Sequence, residues 1–314
     1  MNHKKRVDSF KILLTVDGSP HSKAAIRFIR NAVLPPRTSL YLLRVIDSPE
    51  KLRRGSDTAA IKAIEKQDID KAWEDLRRQS EHLQTSDRSV TPLVSVGTPG
   101  GEILKAIDKR RINLVVMGTH GRRGVNRFLL GSVSEWVLAE APCSTLIVRP
   151  QTRAMKSKTK GLRILLATDG SPDAEAAVAL LRRIDFSPSS RLTILHTVKK
   201  HFYQTEQLLT TTQLSPAELT QAAEGLLQER GRKGAELLHD TSSKFSDKAC
   251  TVTEHLAYGA SADEILKCAK RVRAELIVLG SRGLTGMRKL LIGSVSNKVA
   301  RHAACSVLVV RRSQ

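Results

Sequence analysis

The sequence is poor in the residues that mark most chemistries. Its 314 residues include four cysteines, Cys143, Cys250, Cys268 and Cys305. They form no CxxC pair and no Cys/His cluster at zinc spacing, which excludes a zinc fold and a disulfide scaffold. Aromatic residues make up 4% of the chain, too few for the stacking platforms that grip single-stranded nucleic acid, and no recognition-helix or RNP pattern is present. No apolar run approaches the length of a membrane helix. The N-terminal MNHKKRVDSFKILLTVDGS places Asp17 just behind a short apolar stretch and does not read as a signal peptide. A soluble, cytoplasmic protein in a reducing compartment is expected. No loop ends in the Gly-Lys-Ser/Thr of a P-loop, and no GxGxxG follows a strand. No Ser-His-Asp or Cys-His set can be assembled from spacing.

Acidic residues are also scarce: 31 against 52 basic ones, a net charge of +21. The excess is not a tail. Residues 1–150 carry 26 basic and 16 acidic side chains (+10), and residues 151–314 carry 26 and 15 (+11). An even cationic surface suits phosphate ligands, anionic lipid or nucleic acid; it is equally the solvated face of a basic protein. The scarcity of aromatics disfavours nucleic acid.

What the sequence does have, it has twice. GTHGRRGVNRFLLGS (Gly118 to Ser132) follows the apolar run NLVVM and leads into SVSEWVLAE. GSRGLTGMRKLLIGS (Gly280 to Ser294) repeats it 162 residues later. Gly118, Gly121, Gly131 and Ser132 match Gly280, Gly283, Gly293 and Ser294. Each set lies between a strand and a helix. Glycines permit positive φ and close approach of a ligand to main-chain N–H groups. A helix N-terminus adds unpaired donors and partial positive charge. Ser132 and Ser294 stand at the expected N-cap, with Arg122, Arg123, Arg127, Arg282, Arg288 and Lys289 nearby. One such loop reads equally as a phosphate cradle or a glycine-rich turn before a capped helix; two with identical spacing favour the cradle.

The remaining matches follow in order. FKILLTVDGSP (Phe10 to Pro20) returns as LRILLATDGSP (Leu162 to Pro172) at an offset of 152, aligning Asp17 with Asp169. Ser19 and Ser171 fit N-cap positions, with Pro20 and Pro172 opening the helices. Second strands end near Val45 and Thr197. A helix is expected around residues 61–83, and Ser215-Pro-Ala-Glu218 starts its counterpart with a capping box. The offset then becomes 162, so ten extra residues lie in this part of the second half, as a lid, a partner-facing loop or a neutral insertion. Third strands end at Gly97 and Gly259, and fifth strands follow Cys143 and Cys305, which read as small buried hydrophobes. Each half is thus β-α-β-α-β-α-β-α-β. The fold class is α/β, with two tandem open, doubly wound parallel five-stranded sheets covered by helices on both faces. The domains are 1–150 and 162–314, joined by a polar, basic linker, 151–161, that reads as a hinge. If strands one and four are neighbours, Asp17 and the Gly118 loop flank one crevice at the carboxyl ends of the strands, where such sheets bind ligands. Asp17 and Asp169 are either nucleoside acceptors or ordinary turn residues.

These glycine spacings, the VDGSP and TDGSP openings and the strand count resemble the universal stress protein family, over nearly the whole chain and in both halves. The resemblance implies a strand order of 3-2-1-4-5 and ATP binding. It implies that Gly118, Gly121, Gly131 and Ser132, and Gly280, Gly283, Gly293 and Ser294, hold ribose and phosphates. Asp17, Asp169, Val45 and Thr197 would meet the adenosine end, Thr197 departing from the apolar preference there. It also implies pairing through last strands, within the chain (Leu146–Arg149 with Leu308–Arg311) or as a homodimer. His120 lies in the first loop and its counterpart is Arg282, so the shared demand is for a cation or donor rather than a general base. No base is placed to orient water, so at most slow ATP hydrolysis is expected, with magnesium carried by the phosphates. The leading expectation is a stress-response protein whose nucleotide occupancy sets conformation or the choice of an unknown protein partner. The alternatives are a basic interaction module for nucleic acid or an acidic protein, and a slow ATPase.

Overall fold

The structure, a computed structural model, describes residues 9–32, 34–35, 37–47, 59–120, 130–150, 161–199, 215–284 and 292–312. The first half runs β1 (Lys11–Thr15), α1 (Pro20–Asn31), β2 (Thr38–Asp47), α2 (Ala59–Leu83), β3 (Arg88–Gly97), α3 (Pro99–Arg110), β4 (Leu114–Gly118), α4 (Ser132–Glu140) and β5 (Ser144–Val148). The second runs β6 (Arg163–Ala167), α5 (Pro172–Arg182), β7 (Arg191–Val198), α6 (Pro216–Ser243), β8 (Thr251–Tyr258), α7 (Ser261–Arg271), β9 (Leu276–Gly280), α8 (Ser294–His302) and β10 (Ser306–Val310). The linker residues 151–160 lie outside the described residues. So do residues 200–214, within the stretch that holds the ten extra residues of the second half.

Each half has the order 3-2-1-4-5, and the two are joined into one ten-stranded sheet, β3-β2-β1-β4-β5-β10-β9-β6-β7-β8. All neighbours are parallel except β5 and β10, which meet antiparallel. The central strands are apolar over most of their length because both faces are covered. Alternation sorts their side chains into two cores. Leu13, Val115 and Ile147 point to one side, against α3, α4, α7 and α8. Ile12, Leu14, Val116 and Leu146 point to the other, against α1, α2, α5 and α6. Cys143, Cys268 and Cys305 are buried thiols, and burial pushes Cys143 and Cys305 up to about 12 and about 11, consistent with packing rather than redox chemistry.

The join between halves is shorter than the expected four-residue match. Thr145, Leu146 and Ile147 pair with Val309, Leu308 and Val307, and Arg149 and Arg311 leave the ladder. The reason is in their side chains. Arg149 Nη2 donates to the carbonyls of Ala300 and Arg301, both at 3.0 Å, at the end of α8. Arg311 Nη2 donates to those of Leu138 and Ala139, at 3.3 and 3.4 Å, at the end of α4. Each arginine therefore caps the other half's last helix, where unpaired carbonyls carry partial negative charge. Their backbone N–H groups donate to Ser306 Oγ and Ser144 Oγ, both at 3.2 Å. Arg301 and Glu135 add an ion pair across the join at 2.7 Å.

Replacing both arginines, Arg149→Ala with Arg311→Ala, strands these carbonyls without donors. Each loss costs about 1–3 kcal/mol, so the urea midpoint of the double variant should fall clearly below wild type. An unchanged midpoint would show that the join does not depend on the crossed caps.

Candidate functional site

The first turn of each half is built the same way. Asp17 Oδ1 accepts the N–H of Ser19 at 2.9 Å, and Asp169 Oδ1 that of Ser171 at 3.0 Å. Gly18 and Gly170 between them have φ of 81° and 74°, which glycine adopts without strain. Ser19 and Ser171 are N-caps, accepting from the N–H groups of Ser22 and Ala174, with proline at the first helical positions. The same hydroxyls donate across the crevice, Ser19 to the His120 carbonyl (3.3 Å) and Ser171 to that of Arg282 (3.0 Å). One serine thus ties the first helix to the glycine loop.

Strands β1 and β4 are adjacent, as are β6 and β9, so each loop rises beside the Asp-Gly-Ser turn. Contact is tight. A Cβ at Gly118 would stand 2.7 Å from the His21 backbone, and one at Gly280 2.7 Å from the Ala174 nitrogen. The loops are pinned by Gly131 N–H to the Thr119 carbonyl and Gly293 N–H to the Ser281 carbonyl, both 2.7 Å. Ser134 and Ser296 hydroxyls fix the Gly118 and Gly280 carbonyls at 2.8 and 2.7 Å. These two serines carry no motif signal beyond their shared offset of 162.

Ser132 and Ser294 are not N-caps. Gly131 and Gly293 take that place, without a side-chain hydrogen bond, and the serines are the first helical residues. The glycines are held extended by their bonds to Thr119 and Ser281, which moves the helix start by one residue. Ser132 and Ser294 are exposed at the helix N-termini.

In the first half Asp17, Val45, Gly118, Gly131 and Ser132 all line one cavity of about 810 Å³. Gly121 lies outside the described residues. The facing wall adds charged groups that pattern reading did not find: Arg44 and Asp47 on β2, and Asp68, Lys71 and Asp75 on α2. Arg44 and Asp75 pair at 4.0 Å. Asp68, Lys71 and Asp75 come from the most variable part of the repeat, and none of the five belongs to a motif. In the second half Asp169 Oδ2 accepts the N–H of Leu284 at 3.2 Å, and a Cβ on Gly283 would stand 2.6 Å from that oxygen. Asp169 therefore touches the second loop directly. Thr197 donates its hydroxyl to Ser261 Oγ at 2.8 Å, so this polar atom is satisfied within the fold. Among the described residues, no three His, Cys, Asp or Glu side chains converge to hold a metal ion, and no helix is long and apolar enough to cross a membrane.

The universal stress protein family model matches twice, at residues 9–149 and 162–311. The chain belongs to the universal stress protein family, a stress-response class. It is 32% identical over 149 residues to the universal stress protein YxiE of Bacillus subtilis, covering 48% of this chain and 98% of that protein. It is 29% identical over 200 residues to the universal stress protein Rv2005c of Mycobacterium tuberculosis, covering 64% of this chain and 62% of that one. A solved universal stress protein from Archaeoglobus fulgidus shares the fold over 97% of both chains, with a TM-score of 0.60 at 23% identity.

In this universal stress protein the carboxylate form of Asp17 is favoured. Burial pushes the Asp17 carboxyl up, but hydrogen bonds from the side chain and backbone of Ser19 and from the side chain of Ser22 outweigh it and hold the group below its ordinary value. Asp17 in turn favours the charged form of His21. His21 Nδ1 shares a 2.7 Å hydrogen bond with Thr119 Oγ1, and its ring lies 5.1 Å from that of His120.

Two stability measurements test this local account. Gly118→Ala forces a Cβ against backbone, whereas at Gly131 the nearest atom would be 3.2 Å away. The first variant should therefore lose about 1–3 kcal/mol by overpacking, and more than Gly131→Ala; the reverse order would contradict the close approach. Because the folded Asp17 value lies below the unfolded value of about 3.9, its contribution is fully present above that pH and is lost as pH falls through the folded value. The stability gap between wild type and Asp17→Asn should shrink from pH 7 to pH 3. A gap that widens on acidification would refute the sign.

Proposed function

We propose that the protein binds ATP in two nucleotide-binding domains, 1–150 and 162–314, joined by the linker 151–161. Nucleotide occupancy then sets how the halves present themselves to a protein partner. The cavity that gathers Asp17, Val45, Gly118, Gly131 and Ser132 carries this reading. Its volume falls in the range of small-molecule sites. Its chemistry is graded: a hydrogen-bonded carboxylate suited to hydroxyl donors, an apolar strand end, and a helix N-terminus whose unpaired N–H groups suit phosphates. These residues fit a nucleotide triphosphate.

In the first half, Asp17 and Val45 would hold the adenosine end and Gly118, Gly121, Gly131 and Ser132 the ribose and phosphates. In the second half, Asp169, Thr197, Gly280, Gly283, Gly293 and Ser294 would do the same. Bound ATP, with magnesium carried by its own phosphates, supplies charge and bulk as a structural ligand. Neither loop carries a carboxylate, and the one imidazole in the first, His120, has Arg282 as its counterpart in the second, so no general base is common to the two sites and turnover is at most slow.

Occupancy has a mechanical route to the join. Helix α4 starts in the first cradle and ends on Arg311, and α8 starts in the second and ends on Arg149. Each is a rigid element nine residues long.

The test is direct. Purified protein never exposed to added nucleotide is denatured, and the released adenine nucleotides are counted by chromatography with mass detection. MgATP is then titrated calorimetrically into wild type, Asp17→Ala and Gly283→Val. Wild type should bind, and each variant should lose at least about tenfold in affinity at one site, with unchanged circular dichroism. Absence of both co-purified nucleotide and binding at millimolar MgATP would sink the reading.

A further inference from the structure

The two cradles differ at two positions that face each other. In the second half these are Asp173 on α5 and Arg282 in the loop. Asp173, 3% exposed, accepts from Ser281 Oγ at 2.6 Å, Arg282 N–H at 3.2 Å and Arg282 Nε at 3.4 Å through Oδ2, and from Arg312 N–H at 3.3 Å through Oδ1. This is a closed ion pair, with its charge already balanced. In the first half the same positions hold His21 and His120, two imidazoles in contact. His21 is tied to Thr119. His120 is 8% exposed and lines the cavity, and its ring nitrogens have no hydrogen-bond partner among the described residues.

We propose that His120, backed by His21, is a proton-operated anion ligand: it takes up a proton when a polyphosphate enters the first cavity, whereas the second cradle holds the Asp173–Arg282 ion pair and no imidazole at the same two positions. The inference rests on the nucleotide reading above and names a regulation of that site.

The surroundings set the sign. Asp17, on the β1–α1 turn, favours a charged His21; Arg149, at the end of β5, opposes a charge on either ring; and His21 opposes a charge on His120. Arg44, Asp47, Asp68, Lys71 and Asp75 lie on the facing walls. Burial, then His21 and Arg149, hold His120 below its ordinary value, as burial does His21 despite Asp17. Both are therefore neutral at neutral pH. A polyphosphate brings negative charge and acceptors, which favour imidazolium. The bound-state value then lies above the free-state value. Affinity rises as pH falls through the bound value and levels off below the free value. Two adjacent imidazolium ions beside Arg149 repel, so about one proton is taken up per polyphosphate.

MgATP is titrated calorimetrically into a Gly283→Val background, which blocks the second loop against Asp169, with and without His120→Asn. Titrations at pH 6.5 use two buffers of different ionisation enthalpy, which counts protons; affinities are compared at pH 6 and pH 8. The parent should take up about one proton and tighten roughly tenfold on acidification relative to His120→Asn, the equivalent of one pK unit. This comparison cancels the nucleotide's own ionisation. As a check without substitution at the pair, ¹⁵N spectra of the histidine rings in the unmodified chain should show one imidazole turning cationic when MgATP is added at pH 6.5. ATP binding with the same proton uptake in both proteins, or with no ring becoming cationic, overturns this inference and leaves the nucleotide reading standing. No binding at any pH overturns both.

Discussion

Each half depends on one close approach. The end of β4 must pass the start of α1 at a distance that leaves no room for a Cβ at Gly118, and β9 passes α5 in the same way at Gly280. That contact brings the Asp-Gly-Ser turn under the glycine loop, although about a hundred residues separate them in the chain. Once it is made, the local bonds follow. The N-cap serine reaches the loop carbonyl, the next strand-end carbonyl is held by Ser134 or Ser296, and the last helix starts from a glycine already fixed in extended form. The cavity is what remains between these pinned pieces and the ends of β2 and α2.

The two buried arginines show the same economy at the join. A charged group 5% or 9% exposed is costly unless its donors are used. Arg149 and Arg311 each place Nη2 on two helix carbonyls, which need donors in any case. Arg149 also influences both cradle histidines electrostatically. The residue that closes the join is therefore part of the electrostatics of the cavity that His120 lines.

Sequence reading recovered what is local or periodic. The N-caps at Ser19 and Ser171 and the capping box at Ser215 and Glu218 are short-range chemistry, and all are formed. The strand run and its 3-2-1-4-5 order follow from the repeat and from the family resemblance. The shift of the cap from Ser132 to Gly131 was not legible, because it depends on a bond to Thr119 across the loop. His21 with His120, Asp173 with Arg282, and Arg149 with α8 were not paired either. Their partners stand 99, 109 and 151 residues apart, and no periodicity links them. The charged wall on α2 belongs to the stretch where the two halves diverge, so the repeat offered no second copy to read it against.

The antiparallel join also decides which strands face solvent along their length. Among the described residues, the continuous sheet is bordered by β3 and β8. Proline at position 92 of β3 cannot donate to an added strand, and β8 shows exposed polar and charged side chains at Thr251, Thr253 and Glu254; such features discourage edge-to-edge growth. A half on its own would present β5 or β10 instead, each five residues long and buried at every position. Such a bare apolar border is adhesive. Cutting the linker would therefore not release two free domains, and a half produced alone would have to find a second copy of itself or aggregate. In this chain the tandem arrangement supplies that second border within the same molecule, so closure of the sheet does not depend on protein concentration.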